Sequence, residues 1–130
     1  SIMTEITKIE AIDISKKQNI FEKAHEIGKS RIPVYNQNLN NIEGILYAKD
    51  LIGMLFKDSF NFHQILRSPI FVNANDDLKY IFDLFKKTRK HIAFVKEDNE
   101  IIGIITMEDI LEEVIGEILD EYDLKRITKK

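Results

Sequence analysis

The sequence has no cysteine, no apolar run of bilayer length and no surplus of basic residues. Without cysteine there are no disulfides and no thiolate metal sites, which fits a reducing compartment. No stretch approaches the roughly 18–20 apolar residues that span a bilayer. The chain opens at Ser1 with Met3 two residues in, so it reads as a fragment of a longer protein, and any membrane segment would lie outside it. A net charge of −3 argues against a broad nucleic-acid surface. There is no G-x-x-x-x-G-K-[ST] loop and no G-x-G-x-x-G, so the known phosphate-cradling loops are missing. His25, His63 and His91 lie far apart with no paired metal spacing. No nucleophile stands beside a base in the sequence, so no catalytic residues and no enzyme activity are expected.

What is present is a repeat. "GILYAKDLIGML" at 44–55 returns as "GIITMEDILEEV" at 103–114, and "RIPVY" at 31–35 returns as "HIAFV" at 91–95. The two motifs recur in the same order at nearly the same offset, which marks a repeated structural unit. Each unit begins with an apolar strand, Ile9 to Ile14 in the first and Ile70 to Val72 in the second. Ile20, Phe21, Ala24 and Ile27, then Leu78, Ile81, Phe82 and Phe85, recur at helical spacing. Asn19 and either Asp76 or Asp77 stand where helix caps belong. Two short strands follow in each unit, joined by the polar stretches "NQNLNNIE" and "KEDNEI". A helix closes each unit, over about 48–56 and about 107–119, and residues 57–69 link the units. The expected fold class is α/β (α+β), two β-α-β-β-α repeats. A unit of about 60 residues buries little by itself, so the two are expected to pack sheet to sheet with pseudo-twofold symmetry. The division is 1–66, 67–124 and a tail at 125–130.

The two copies differ where it matters chemically. In the second, a strand ends at Thr106 and a helix begins, leaving N–H groups that favour an anion beside the Thr106 hydroxyl. Asp109 lies one turn on, and its carboxylate can accept two hydrogen bonds from a vicinal diol such as ribose. Phosphate and ribose together describe a nucleotide. The same Thr-x-x-Asp spacing is also that of a helix cap, with Thr106 satisfying backbone donors and Asp109 favouring the dipole. The first copy keeps Asp50 but has Tyr47, a bulky phenol that can fill the pocket itself. The halves should therefore be unequal.

"IMT" at 2–4, "SRIPVY" at 30–35, "GILYAKDL" at 44–51 and "GIITMEDILEEVIGEILDEYD" at 103–123 together resemble the tandem cystathionine-β-synthase (CBS) pair, or Bateman module, of the CorC/HlyC group. These are membrane proteins of magnesium and cobalt efflux, also called hemolysin-like. Glu5 stands where the group usually has Pro, near the expected pocket mouth. The resemblance implies a cytoplasmic regulatory module that binds an adenine nucleotide, Mg-ATP before ADP, AMP or S-adenosylmethionine. It also implies a homodimer and, as partner, the membrane domain of the same full-length protein. It assigns Thr106 and Asp109 to the nucleotide and has that site borrow a wall from the first unit: Thr4, Lys29, Ser30, Arg31, Ile32 and Pro33. Ile32 and Pro33 would flank the base, backbone around Ser30 and Ile32 would read its edge, and Arg31 or Lys29 would meet phosphate. For "SRIPVY" the plain alternative is an edge strand, with Pro33 blocking one ladder bond. A second, weaker site would use Tyr47, Asp50 and His91, although a surface or packing role also suits His91. The alternative function is a structural dimerisation module with vestigial pockets.

From Glu108 to Asp123 there are eight acids and no base: Glu108, Asp109, Glu112, Glu113, Glu117, Asp120, Glu121 and Asp123. Most read as a solvated face opposite a buried stripe of Ile110, Leu111, Val114, Ile115, Ile118 and Leu119. Glu108 and Glu112 lie at the expected phosphate end, where a bare triphosphate would be repelled and magnesium would relieve the repulsion.

Overall fold

A computed structural model describes residues 2–57 and 61–128, with side-chain surroundings as far as residue 120. Part of the linker, the end of the tail and the side chains of Glu121 and Asp123 therefore lie outside the described residues. The first half contains β2 (Ile12–Asp13), α1 (Ile20–Ile27), β3 (Arg31–Asn36), β4 (Asn38–Tyr47) and α2 (Ala48–Ile52). After α3 (Phe62–Ile65), the second half repeats the order with β5 (Phe71–Asn73), α4 (Leu78–Thr88), β6 (Ile92–Glu97), β7 (Glu100–Thr106) and α5 (Met107–Thr128). In each half a helix joins two parallel strands, β2 with β3 and β5 with β6, and an antiparallel hairpin follows. The β-α-β-β-α order thus occurs twice.

Strand alternation builds the core. On β6, Ala93 and Val95 face the helices, packing with Phe85 of α4 and Ile110 of α5, while Ile92 and Phe94 face the other way. There they meet Ile45 of β4 and Ile101 of β7 in a cluster shared by the two sheets. Burial on both faces accounts for the unbroken apolar run in "IAFV". Ile32 and Leu46 belong to the first half's own helix-side cluster.

Local chemistry fixes the helix starts. Asn19 Oδ1 accepts from Glu22 N–H at 3.2 Å, and Asp77 Oδ1 accepts from Tyr80 N–H at 2.8 Å. Of the two candidates in the second half, Asp77 is the cap, while Asp76 accepts from Asn73 N–H in the preceding turn.

Several features depart from the sequence-based expectation. A two-residue strand, β1 (Thr4–Glu5), lies antiparallel on β7 of the second half and is followed by a 3-10 turn at Ile6–Lys8. The first hairpin turns at Gln37 alone (φ 68°), so most of its polar stretch is strand. Asn40 holds it there, its Oδ1 accepting from Ile101 N–H of the other half at 2.7 Å. The first closing helix stops at Ile52, and the last runs on to Thr128. On that last helix Ile110 is buried, but Leu111, Val114, Ile115, Ile118 and Leu119 are 41–58% exposed. The stripe expected to be buried is therefore mostly open, because α5 packs on α4 and β7 only near its start. The second hairpin needs no glycine: Asp98 and Asn99 take left-handed angles of 51° and 64°, the turn that suits a twisted two-residue hairpin.

Asp13 ties β2 to the first hairpin. It accepts from Gln37 N–H at 3.0 Å and from Ser15 N–H and Oγ–H. The Gln37 bond first, then those from Ser15, hold its carboxyl below the usual carboxylate range. A lowered folded pKa means the contribution is present above the unfolded value of about 3.9 and is lost as pH falls through the folded value. Asp13→Asn should therefore flatten the acid limb of melting temperature against pH. An acid limb with the wild-type slope would show that Asp13 contributes nothing.

Candidate functional site

The start of α5 is built by two reciprocal bonds. Asp109 N–H donates to Thr106 Oγ1 at 3.1 Å, and Thr106 N–H donates to Asp109 Oδ2 at 3.0 Å. The cap foreseen as the plain alternative is thus formed. It uses one of the two carboxylate oxygens, and among the described residues Oδ1 has no donor. An ionised carboxylate offers about four acceptor positions, so capping and ligand binding are compatible.

Thr106 and Asp109 border a cavity of about 390 Å³, within the range of roughly 300–1,000 Å³ usual for small-molecule sites. Facing them across it are Lys29, Ser30, Arg31 and Pro33 at the start of β3, with Thr4 of β1. Thr4 reaches it because β1 is laid against β7, with Thr4 opposite Ile104. Seven of the eight residues named for this site therefore converge. The exception is Ile32, fully buried on the opposite face of β3 among Ile12, Val34, Leu46 and Leu51. Its side chain cannot flank a ligand, because strand alternation sends it to the core when Arg31 and Pro33 face the cavity.

Glu5 is exposed and not among the lining residues. The acids that face the site's bases are others. Arg31 Nη2 lies 3.4 Å from Glu108 Oε1, and Lys29 Nζ lies 3.8 Å from Glu10 Oε1. Exposed pairs of this kind are weak, so both bases can change partner.

Sequence reasoning missed Lys8, Ile9, Glu10, Gly28, Ile92 and Ile104 in this lining. For Ile104 a signal existed, since it lies two residues before Thr106 on the same strand face. Ile92 pairs directly with Thr106 across the hairpin. Lys8 and Glu10 lie on an irregular segment after β1, where no periodicity points to a cavity.

Among the described residues, Tyr47, Asp50 and His91 are not brought together around the cavity that Asp50 lines. Asp50 Oδ2 and Oδ1 accept from Arg67 Nε and Nη2 at 3.0 and 3.1 Å. The Arg67 guanidinium carbon lies 3.9 Å from the centre of the Tyr47 ring. Asp50 lines a cavity with Lys49, Gln64 and Arg67, and neither Tyr47 nor His91 belongs to its lining. His91 is exposed, and its carbonyl accepts from Met107 N–H.

Residues 63–116 match the family model described as "CBS domain". Hemolysin C of Brachyspira hyodysenteriae is 43% identical over 95 residues, covering 72% of this chain and 35% of that protein. The magnesium and cobalt efflux protein CorC of Escherichia coli K12 is 38% identical over 107 residues, covering 80% of this chain and 35% of that protein. The chain thus spans about a third of the length of these relatives. Among solved structures, the CBS domain of the bacterial CNNM/CorC family Mg2+ transporter in complex with ATP has a TM-score of 0.80 at 29% identity, covering 88% of this chain and 84% of that one. A CBS-domain pair from Klebsiella pneumoniae with bound AMP has a TM-score of 0.79 at 24% identity, covering 87% and 94%, and bears on the fold.

Proposed function

This chain belongs to the CBS-domain family, with the CorC and hemolysin C proteins, and from that premise we propose that it is a regulatory module that binds one adenine nucleotide, ATP with magnesium, in the cavity between Arg31 and Asp109. The observation that carries this is the convergence on one cavity of a capped helix start, a carboxylate oxygen with no donor among the described residues, and two exchangeable bases. Thr106 and the helix start take phosphate. Asp109 Oδ1 accepts from the ribose hydroxyls. Pro33 flanks the base, and backbone at Ser30 and Ile32 reads its edge. Arg31 and Lys29 turn from Glu108 and Glu10 to phosphate oxygens. The ATP-bound neighbour supports the ligand class.

Magnesium suits this site, since Glu108, paired with Arg31 of the lining, puts negative charge beside it, and Glu112 follows one turn later along α5. When bound with the phosphates, magnesium supplies charge neutralisation. Among the described residues no three His, Asp or Glu converge on a protein metal site. The module acts by having two states of unequal affinity for the nucleotide, and it has no catalytic role. We place it as the cytoplasmic part of a membrane magnesium/cobalt efflux protein, with repeats at 1–66 and 67–124 and a tail at 125–130. Among the described residues no helix is long and apolar enough to cross a membrane. It pairs as a homodimer through the exposed apolar residues of α2 and α5, Ile52 and Leu111 to Leu119.

A calorimetric panel of ATP, ADP, AMP and S-adenosylmethionine, each with magnesium and with chelator, tests this function. Magnesium should tighten ATP much more than AMP, because more phosphate charge meets Glu108 and Glu112. Equal ATP affinity in magnesium and in chelator would remove the ion from the account. Absence of binding by all four would favour the structural dimerisation module, which the exposed face of α5 also suits.

A further inference from the structure

Arg67 lies in the linker between the halves, and nothing in its sequence neighbourhood marks it. Its backbone forms an isolated bridge with β4: Ile45 N–H donates to Arg67 O and Arg67 N–H donates to Ile45 O, both at 2.9 Å. Gly44 permits that approach, since a Cβ there would sit 2.8 Å from Arg67 O. The side chain then turns to α2, where both Asp50 oxygens accept from the guanidinium and the Tyr47 ring lies beneath it.

The contrast with the second half is chemical. Thr106 caps its helix and engages Asp109, leaving an oxygen open. On α2 the Tyr47 side chain makes no cap bond, and both Asp50 oxygens accept from Arg67 instead. A carboxylate beside an aromatic face is a site for a planar cation. We propose that Arg67 is the resident partner of Asp50: it locks the linker onto the first half and takes the carboxylate that a nucleotide there would need, so that only the second half's Asp109 is open to one. The lock stands on the contacts alone, and the exclusion of nucleotide rests on the proposed function. The bonds from Asp50 also raise the Arg67 pKa above its ordinary value, so the cation is present at any working pH.

The test uses Arg67→Ala, Asp50→Asn and the double variant, melted without nucleotide. Each single variant should melt several degrees lower, and the double no lower than the worse single, since the pair acts as one unit. Millimolar methylguanidinium should restore part of the loss in Arg67→Ala and none in the double variant. Additive losses, or rescue that does not need Asp50, overturn the lock. Should Arg67→Ala fail to fold, Arg67→Lys takes its place in the cycle, keeping the charge but losing the two-pronged bond. For the exclusion, wild-type chain titrated with Mg-ATP should bind one equivalent, and two equivalents overturn it. A chain that binds no Mg-ATP overturns the proposed function and not the lock, which is read without nucleotide.

Discussion

Asp109→Asn should weaken nucleotide binding by about tenfold or more while leaving the melting temperature close to that of wild type. The cap that Asp109 forms and the ribose contact proposed for it use different oxygens. The cap needs only an acceptor for Thr106 N–H and a backbone N–H for Thr106 Oγ1, and asparagine supplies both. The cavity side changes from an acceptor with charge to an amide donor, which cannot accept from ribose hydroxyls. Hydrogen bonds to charged groups contribute about 1.5–3 kcal/mol, and about 1.4 kcal/mol is tenfold. Asp109→Ala removes the cap as well, so it should also lower stability, by about 0.5–2 kcal/mol. Asp50→Asn should behave oppositely, with a lower melting temperature and unchanged affinity, because Asp50 is engaged by Arg67. Titration and melting of the three variants check this, and equal affinity losses at Asp50 and Asp109 would mean the site has been placed wrongly.

Gly103→Val should both destabilise the chain and weaken the nucleotide. Gly103 pairs with Glu5, and a Cβ there would lie 2.5 Å from Thr4 O and 2.9 Å from Met3 Sδ. The first of these is backbone and cannot rotate away, so β1 must lift. Forced overpacking costs about 1–3 kcal/mol, which for a chain of this size lowers the melting temperature by roughly 3 °C or more. Lifting β1 also carries Thr4 out of the cavity wall. Gly116→Ala is the matched control, since nothing lies within 4 Å of a Cβ there, and alanine in a helix should raise stability by about 0.5–1 kcal/mol. Hydrogen exchange at Thr4 and Glu5 reports the strand directly. Unaltered protection there in Gly103→Val would contradict the assigned packing.

The repeat is legible because its two copies share a glycine (Gly44, Gly103), an apolar period and a closing Asp (Asp50, Asp109). The convergence of Thr106, Asp109, Lys29 to Arg31 and Pro33 followed from that repeat together with the family resemblance. The side chain of Ile32 departs from the expected wall because neighbours along a strand point to opposite faces, and its face is the core. The docking of β1 was illegible: two residues carry no period, and their partner Gly103 lies far along the chain. The exposure of α5 was hidden for another reason. A helical apolar stripe records that a face is apolar and not whether this chain covers it. Arg67 was invisible because its pairing with Asp50 spans 17 positions through a linker, where no helical or strand spacing links two charges.

The most direct test of the central claim is a two-dimensional NMR titration of the chain with Mg-ATP. The account predicts that amide signals of Lys29, Ser30, Arg31, Thr106 and Asp109 shift and saturate at one equivalent, while those of Tyr47, Asp50 and Arg67 stay in place. Shifts centred on Tyr47, Asp50 and Arg67 instead would contradict it.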